Sequence, residues 1–269
     1  MKKYGFKIVI DIFLYLFIFI CFLPLIILLL TSFIDLWIYP DILPECYTFD
    51  YIKYVIFNNN EPIVKIIFST MILGFLTSFI TIIISIPCSR VLAFYNFKGK
   101  FLINFLVILP LIVPSFTIVS ISHINLINMS LASNIFGVAI THSVFALPYA
   151  IKIIQDMTLE VGKKYEKQGE NLGASKLQII FDIYLPLISP SIILAFFFSF
   201  TISISQYLTT LIIGGGKVIT LSTVLVPYIQ YGKYQIASIY SFILVCITIL
   251  CYFIINMMEK KLINKSEVK

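Results

Sequence analysis

Apolar positions in this chain neither alternate nor confine themselves to one helical stripe; they run on for twenty residues and more, broken by short polar stretches. Six runs stand out, at 8–30, 63–87, 101–122, 134–154, 187–213 and 236–258. A helix of roughly 20 residues crosses a hydrocarbon layer of about 30 Å, so each run is long enough to span it. A closed barrel would need short segments of alternating polarity. The pattern predicts an all-α polytopic membrane protein with about six transmembrane helices, forming a single domain over 1–269.

Composition agrees, since 60% of the residues are hydrophobic and 12% are charged, with a mean hydropathy of +1.02. A soluble fold is excluded by that balance. The formal charge of +6 matters through its distribution, and it points to a lipid bilayer surface and not to nucleic acid. With the amino terminus inside, 15 basic residues fall on the cytoplasmic side, and four, Lys53, Lys65, Lys217 and Lys233, fall outside. That bias predicts two cytoplasmic termini. The first run follows Lys2, Lys3 and Lys7 as a signal peptide would, but it is longer than a usual signal core and lacks a small-residue cleavage site, so it reads as a retained span. The first external segment, 31–62, is acidic and brings Trp37, Tyr39, Tyr47 and Tyr51 to the interface. The segment between the third and fourth spans has no Lys or Arg and reads as a tight external turn.

Chemistry-bearing residues are sparse. Five cysteines form neither a CxxC pair nor a Cys/His metal spacing, and Cys46 alone lies away from the apolar runs, four being within or directly beside one. Asp11, the one carboxylate within a predicted span, lies near its cytoplasmic end four residues after Lys7, the spacing of a helical ion pair. His123 and His142 have no intramembrane carboxylate to accompany them, which favours packing or interfacial roles. No metal site, bound cofactor or catalytic constellation is expected, nor is there a GxxxxGK[ST] phosphate loop.

The longest cytoplasmic loop, 155–186, reads as two short helices divided at a fixed turn. Gly173 suits the left-handed position past a helix end. Ser175 and Gln178 have the spacing of a capping box, and Pro186 stops the second helix before the fifth span. Leu172, Leu177, Ile180, Phe181 and Tyr184 put apolar surface where the bilayer cannot cover it, which calls for a protein partner.

The run Tyr165-Glu166, then Leu172-Gly173-Ala174-Ser175, then Ile183-x-Leu185-Pro186 resembles the EAA motif of permease subunits in binding-protein-dependent ABC importers. Lys167, Gln168 and Gly169 stand where that family most often has Glu-Ala-Ala. The resemblance implies a type I importer permease in which Glu166, Gly173, Ala174, Leu177, Ile183, Leu185 and Pro186 form the loop that docks on a cytoplasmic ABC ATPase dimer. ATP would be used by that partner and not by this chain. A second permease subunit, identical or paralogous, and an extracytoplasmic solute-binding protein would complete the importer. The stretch from Ser205 through Gly216 to Tyr228 is similar to the branch that handles polyamines, thiamine and ferric iron.

In the fifth span Ser199, Ser203, Gln206 and Thr210 recur at i, i+4, i+7 and i+11, along one face of a continuous helix. No other polar ladder of that length is read from the sequence, and this one would border the solute path or pack against a neighbouring helix. An ion-coupled secondary carrier would need an intramembrane ion site, and a polytopic membrane enzyme would need paired acids, a Ser/His pair or a metal cluster.

Overall fold

In the computed structural model, residues 2–36, 44, 46–57 and 62–267 are described. Trp37, Tyr39 and the Lys7 side chain, hence the expected Asp11 ion pair, lie outside the described residues. Among the described residues, four helices are long and apolar enough to cross a membrane: α1 (Lys2–Thr31), α3 (Ile63–Phe94), α6 (Ile135–Val161) and α13 (Tyr234–Glu267). Two further apolar segments are bent pairs, α4 (Lys100–Ile112) with α5 (Ser115–Asn128), and 176–187 with α10 (Ser189–Ser205).

The third span, expected over 101–122, is one of these bent pairs: the chain turns by 103° between α4 and α5. The bend falls at Pro114, which disfavours helical backbone at the residue before it, and Val113 is extended at φ −75°, ψ 134°. Pro110 and Pro148, in contrast, lie inside α4 and α6. The fourth span also runs past its expected end at 154, to Val161, where Gly162 takes φ +64°. At its start Asn134 caps the helix by accepting from the Phe136 amide. Ser130 and Ser133 both adopt positive φ in the preceding turn.

Read from sequence as one domain, the chain divides into two compact units. The first comprises Met1–Ile63 and Val224–Cys246. In it, strands β1 (Ile34–Leu36) and β2 (Cys46–Tyr47) pair antiparallel, with Ile34 opposite Tyr47 and Leu36 opposite Cys46 across an irregular register. These strands are too short to leave a period in the sequence. Helix α2 (Asp50–Phe57) follows, and Tyr51 Oη donates to Asp35 Oδ1 at 3.2 Å. Thr31 Oγ1 lies 2.8 Å from Ser238 Oγ, so a hydroxyl pair ties the end of α1 to α13.

The second unit, Val64–Thr223 with Ile247–Lys269, holds α3 to α11 (Tyr207–Gly214), the start of α12 (Leu221–Gln230) and the end of α13. Its core lies along α6 in two clusters. Val138, Ala139 and Phe145 pack with Leu73, Val119 and Ile213. Ala150 and Ile154 pack with Tyr184, Ile188 and Ala195. Gly74 lets α3 close on α10, since a Cβ there would stand 2.6 Å from the Phe200 ring. Small residues give such close approaches between helices in lipid.

Candidate functional sites: the loop before the fifth span and the break within it

Beyond Gly162 the loop forms α7 (Lys164–Asn171), α8 (Lys176–Gln178), a π-turn (Ile179–Tyr184) and α9 (Leu185–Leu187). Gly173 takes φ +84°; its amide donates to the Glu170 carbonyl, and the Ala174 amide to the Gly169 carbonyl, both at 3.0 Å. This paired closure satisfies carbonyls that the end of α7 would leave open. The expected capping box is also present: the Gln178 amide donates to Ser175 Oγ, and the Ser175 amide to Gln178 Oε1. Two local devices thus fix the turn.

Long-range contacts fix the loop against the helices. Glu166 is 9% exposed, and its Oε2 accepts from Arg90 Nη2 at 2.9 Å. The Arg90 guanidinium also lies 4.5 Å above the Tyr184 ring, and Tyr184 Oη stands 3.0 Å from Thr158 Oγ1 on α6. Gly169 is buried, because a Cβ there would approach Ile183 Cδ1 to 2.6 Å. Arg90 and Gly169 escaped the sequence reading, since nothing near either residue announces a partner 76 or 14 positions away.

Two expectations for the loop are corrected. Tyr184 does not add to the exposed apolar surface, since it is 2% exposed beneath Arg90. Pro186 does not stop the helix: α9 continues through it to Leu187, and the chain bends by 67° around Ile188. The π-turn before Pro186 is the kind of local adjustment that accommodates a missing N–H. Leu172, Leu177 and Phe181 remain 88%, 68% and 63% exposed. Ala174, Ile183 and Leu185 are half-buried, while Gly173 and Pro186 are exposed.

The fifth span departs from a single helix at Gln206, which is extended at φ −78°, ψ 95° between α10 and α11. Ser199, Ser203, Gln206 and Thr210 consequently do not share one helical face. Ser199 is buried with its hydroxyl donating to Ala195 O on its own helix. Ser203 and Thr210 are buried on either side of the break, and His142 joins them: Nδ1 is 2.9 Å from Ser203 Oγ and Nε2 is 3.2 Å from Thr210 Oγ1. Ser203 also donates to Thr77 Oγ1 at 3.0 Å. At the break, the Gln206 carbonyl accepts from Thr210 Oγ1 at 2.6 Å, and its side-chain Oε1 accepts from Thr209 Oγ1 at 3.1 Å. Gln206 itself stays half-buried.

One imidazole thus bridges both sides of an interrupted helix, in line with the packing role expected for His142. Thr209, beside the break, is also fully buried. Nor is the fifth-span ladder alone: Thr70, Thr77, Ser78, Thr81, Ser85 and Ser89 are all buried on α3. Thr77 and Ser89 serve the seam with α6, where Ser143 donates to Thr77 O and Ser89 to Ile151 O; Thr70 Oγ1 accepts from the Leu221 amide, and Ser78, Thr81 and Ser85 donate to carbonyls of their own helix. Among the described residues no group of three or more His, Cys, Asp or Glu gathers as it would around a metal.

Comparison with known proteins agrees with this architecture. The chain is 24% identical over 217 residues to the sulfate transport system permease protein CysT of Salmonella typhimurium, covering 75% of this chain and 78% of that one. It is 31% identical over 116 residues to the molybdate/tungstate transport system permease protein WtpB of Pyrococcus abyssi, covering 43% and 46%. The putrescine transport system permease protein PotI of Escherichia coli matches at 23% identity over 145 residues, 52% of each chain. In fold, the chain is similar to one in a bacterial alginate ABC transporter in complex with alginate pentasaccharide-bound periplasmic protein, with a TM-score of 0.71 at 15% identity over 96% of both chains. Residues 82–265 match the family described as the binding-protein-dependent transport system inner membrane component, so the chain belongs to that family and is a membrane permease subunit of an ABC importer.

Proposed function

We propose that the chain forms half of an alternating-access pathway for a small solute, and that its loop from Glu166 to Pro186 docks on a cytoplasmic ABC ATPase dimer that uses the ATP. Leu172, Leu177 and Phe181 support this most directly, because they expose apolar side chains on a loop held rigid by Gly173, the Ser175 cap and the Arg90–Glu166 pair. A rigid apolar projection loses little freedom when a partner covers it. The basic bias of the sequence supports two cytoplasmic termini. A second permease, identical or paralogous, would supply the other half of the path. An extracytoplasmic solute-binding protein would deliver the cargo, and the alginate transporter resembling this fold was solved with its periplasmic protein.

In this reading Gln206 borders the path, with Ser199, Ser203 and Thr210 on the helices around it. Irregular backbone is tolerated at membrane depth where it is covered by protein or lines a cavity. The relatives' names include sulfate, molybdate or tungstate, and putrescine, solutes of opposite charge. An amide, with both donors and acceptors, suits either.

Gly173→Val tests the docking. A β-branched residue is strained at φ +84°, while no atom within 4 Å would clash with its Cβ. The variant should insert and reach normal abundance but lose most of the ATPase that co-purifies with the wild type. Normal assembly and transport would refute the docking role.

A further inference from the structure

Behind the loop lies a cavity of about 450 Å³, lined by Arg90, Phe94 and Tyr95 from the end of α3, by Lys163, Glu166, Lys167 and Glu170, and by Lys176, Ile179 and Ile180. Its walls carry four cationic and two carboxylate side chains, and one of each is spent in the Arg90–Glu166 pair. The remainder is basic. The Lys163 ammonium lies 5.1 Å from the Phe94 ring and 4.9 Å from the Tyr95 ring, so two aromatic faces hold a charge at the wall. Arg90 Nη1 and Glu166 Oε1 are buried and have no hydrogen-bond partner among the described residues.

A buried donor and a buried acceptor left open are costly. One ordered water, whose share of liquid volume is about 30 Å³, would occupy a small part of the space. The group that suits both atoms and the surrounding ammoniums carries anionic oxygens for Arg90 and the lysines, and a hydroxyl to donate to Glu166. A bare polyanion without a donor would leave Glu166 facing like charge.

We propose that this cavity binds a phosphate-bearing anion that also carries a hydroxyl, the chemistry of a glycerophosphate headgroup. An anionic phospholipid of the cytoplasmic leaflet or a free phosphate ester could supply it. The site rests on the cytoplasmic placement of the loop proposed above. Occupied, it would tie α7 to the end of α3 and make the loop's stiffness depend on the surrounding lipid.

The test uses the full-length permease purified in detergent, with Lys163→Ala/Lys167→Ala as the variant and Lys164→Ala, outside the cavity walls, as the control. Native mass spectrometry reports retained lipid. Thermal melting is followed in phosphatidylcholine nanodiscs with and without phosphatidylglycerol, and in detergent with glycerol 3-phosphate. Wild type and control should retain phosphatidylglycerol and melt higher in its presence, with affinity in the double variant about thirtyfold weaker. Stabilisation by glycerol 3-phosphate without lipid adducts would support the same site and assign it to a free ester.

Equal lipid retention and equal melting in all three proteins would overturn the proposal. So would a double variant that keeps its lipid but loses co-purifying ATPase, since the lysines would then serve the partner. Gly173→Val separates the two readings: it should lose ATPase and keep the headgroup.

Discussion

The loop from Glu166 to Pro186 and the break at Gln206 both interrupt regular helix, but different forces hold them. The loop's turn is closed by neighbours: every bond that sets Gly173 and Ser175 spans five residues or fewer. The break is held from far along the chain, by His142 more than 60 residues earlier. A local turn of the first kind keeps its shape as a unit when the loop moves. A break of the second kind keeps its shape only while α3, α6, α10 and α11 stay packed, and so it reports their arrangement.

The sharpest way to break this contrast is to cut the ion pair that ties the loop to α3. Arg90→Met leaves Glu166 buried without its partner and should destabilise the permease by about 3 kcal/mol or more, read as loss of folded protein in thermal melting. The double variant Arg90→Met/Glu166→Gln should recover part of that loss. Recovery would show that the pair, and not either side chain alone, holds the loop; no recovery would assign the effect to Arg90 on Tyr184.

His142→Leu comes next. It removes both bonds to the flanks of the break and leaves Ser203 and Thr210 to find other partners, at about 1–2 kcal/mol for interhelical polar contacts in a membrane. Melting should fall and transport per assembled complex should drop, with ATPase co-purification unchanged because the loop's turn is closed locally. Loss of ATPase in this variant would show that the two regions are not independent.

Gln206→Leu should leave abundance within about 1 kcal/mol of wild type, since its amide makes one side-chain contact, to Thr209, while transport per complex falls. Ser205→Ala, at an exposed neighbour, is the control. Unchanged transport per complex would remove Gln206 from the path. Ser199→Ala should have the smallest effect, a few tenths of a kcal/mol, because its hydroxyl bonds only its own helix. A large loss of transport with normal abundance would return Ser199 to the solute path.

The same contrast explains what was legible in the sequence. Apolar runs gave the helices, and Gly173, Ser175 and Gln178 gave the loop, because those signals act over one or two turns. Pro114 is as visible as Pro110 or Pro148, yet a proline in a membrane helix only permits a break; packing decides which one bends the chain. Gln206 carries no breaker at all. Its extended backbone follows from Ser203 and Thr210 being drawn to one imidazole, and that requires knowing which helix faces which. The burial of Tyr184 and Glu166 escaped for the same reason, since Arg90 sits on another helix.

The unequal burial of the long helices bears on how the chain enters the membrane during synthesis. Ile10–Thr31 of α1 has a mean hydropathy of 3.1 and 0% of its window buried in this chain, whereas α6 has 1.5 and 67%. A segment like the first can leave the translocon for lipid unaided. A segment like α6 carries His142 at its buried face and would strand that imidazole in hydrocarbon if released alone, whereas Thr141 and Ser143 bond carbonyls of their own helix. Since α10 and α11, which supply the partners of His142, are made after α6, release of α6 into lipid ahead of them would leave that imidazole without those two hydroxyls.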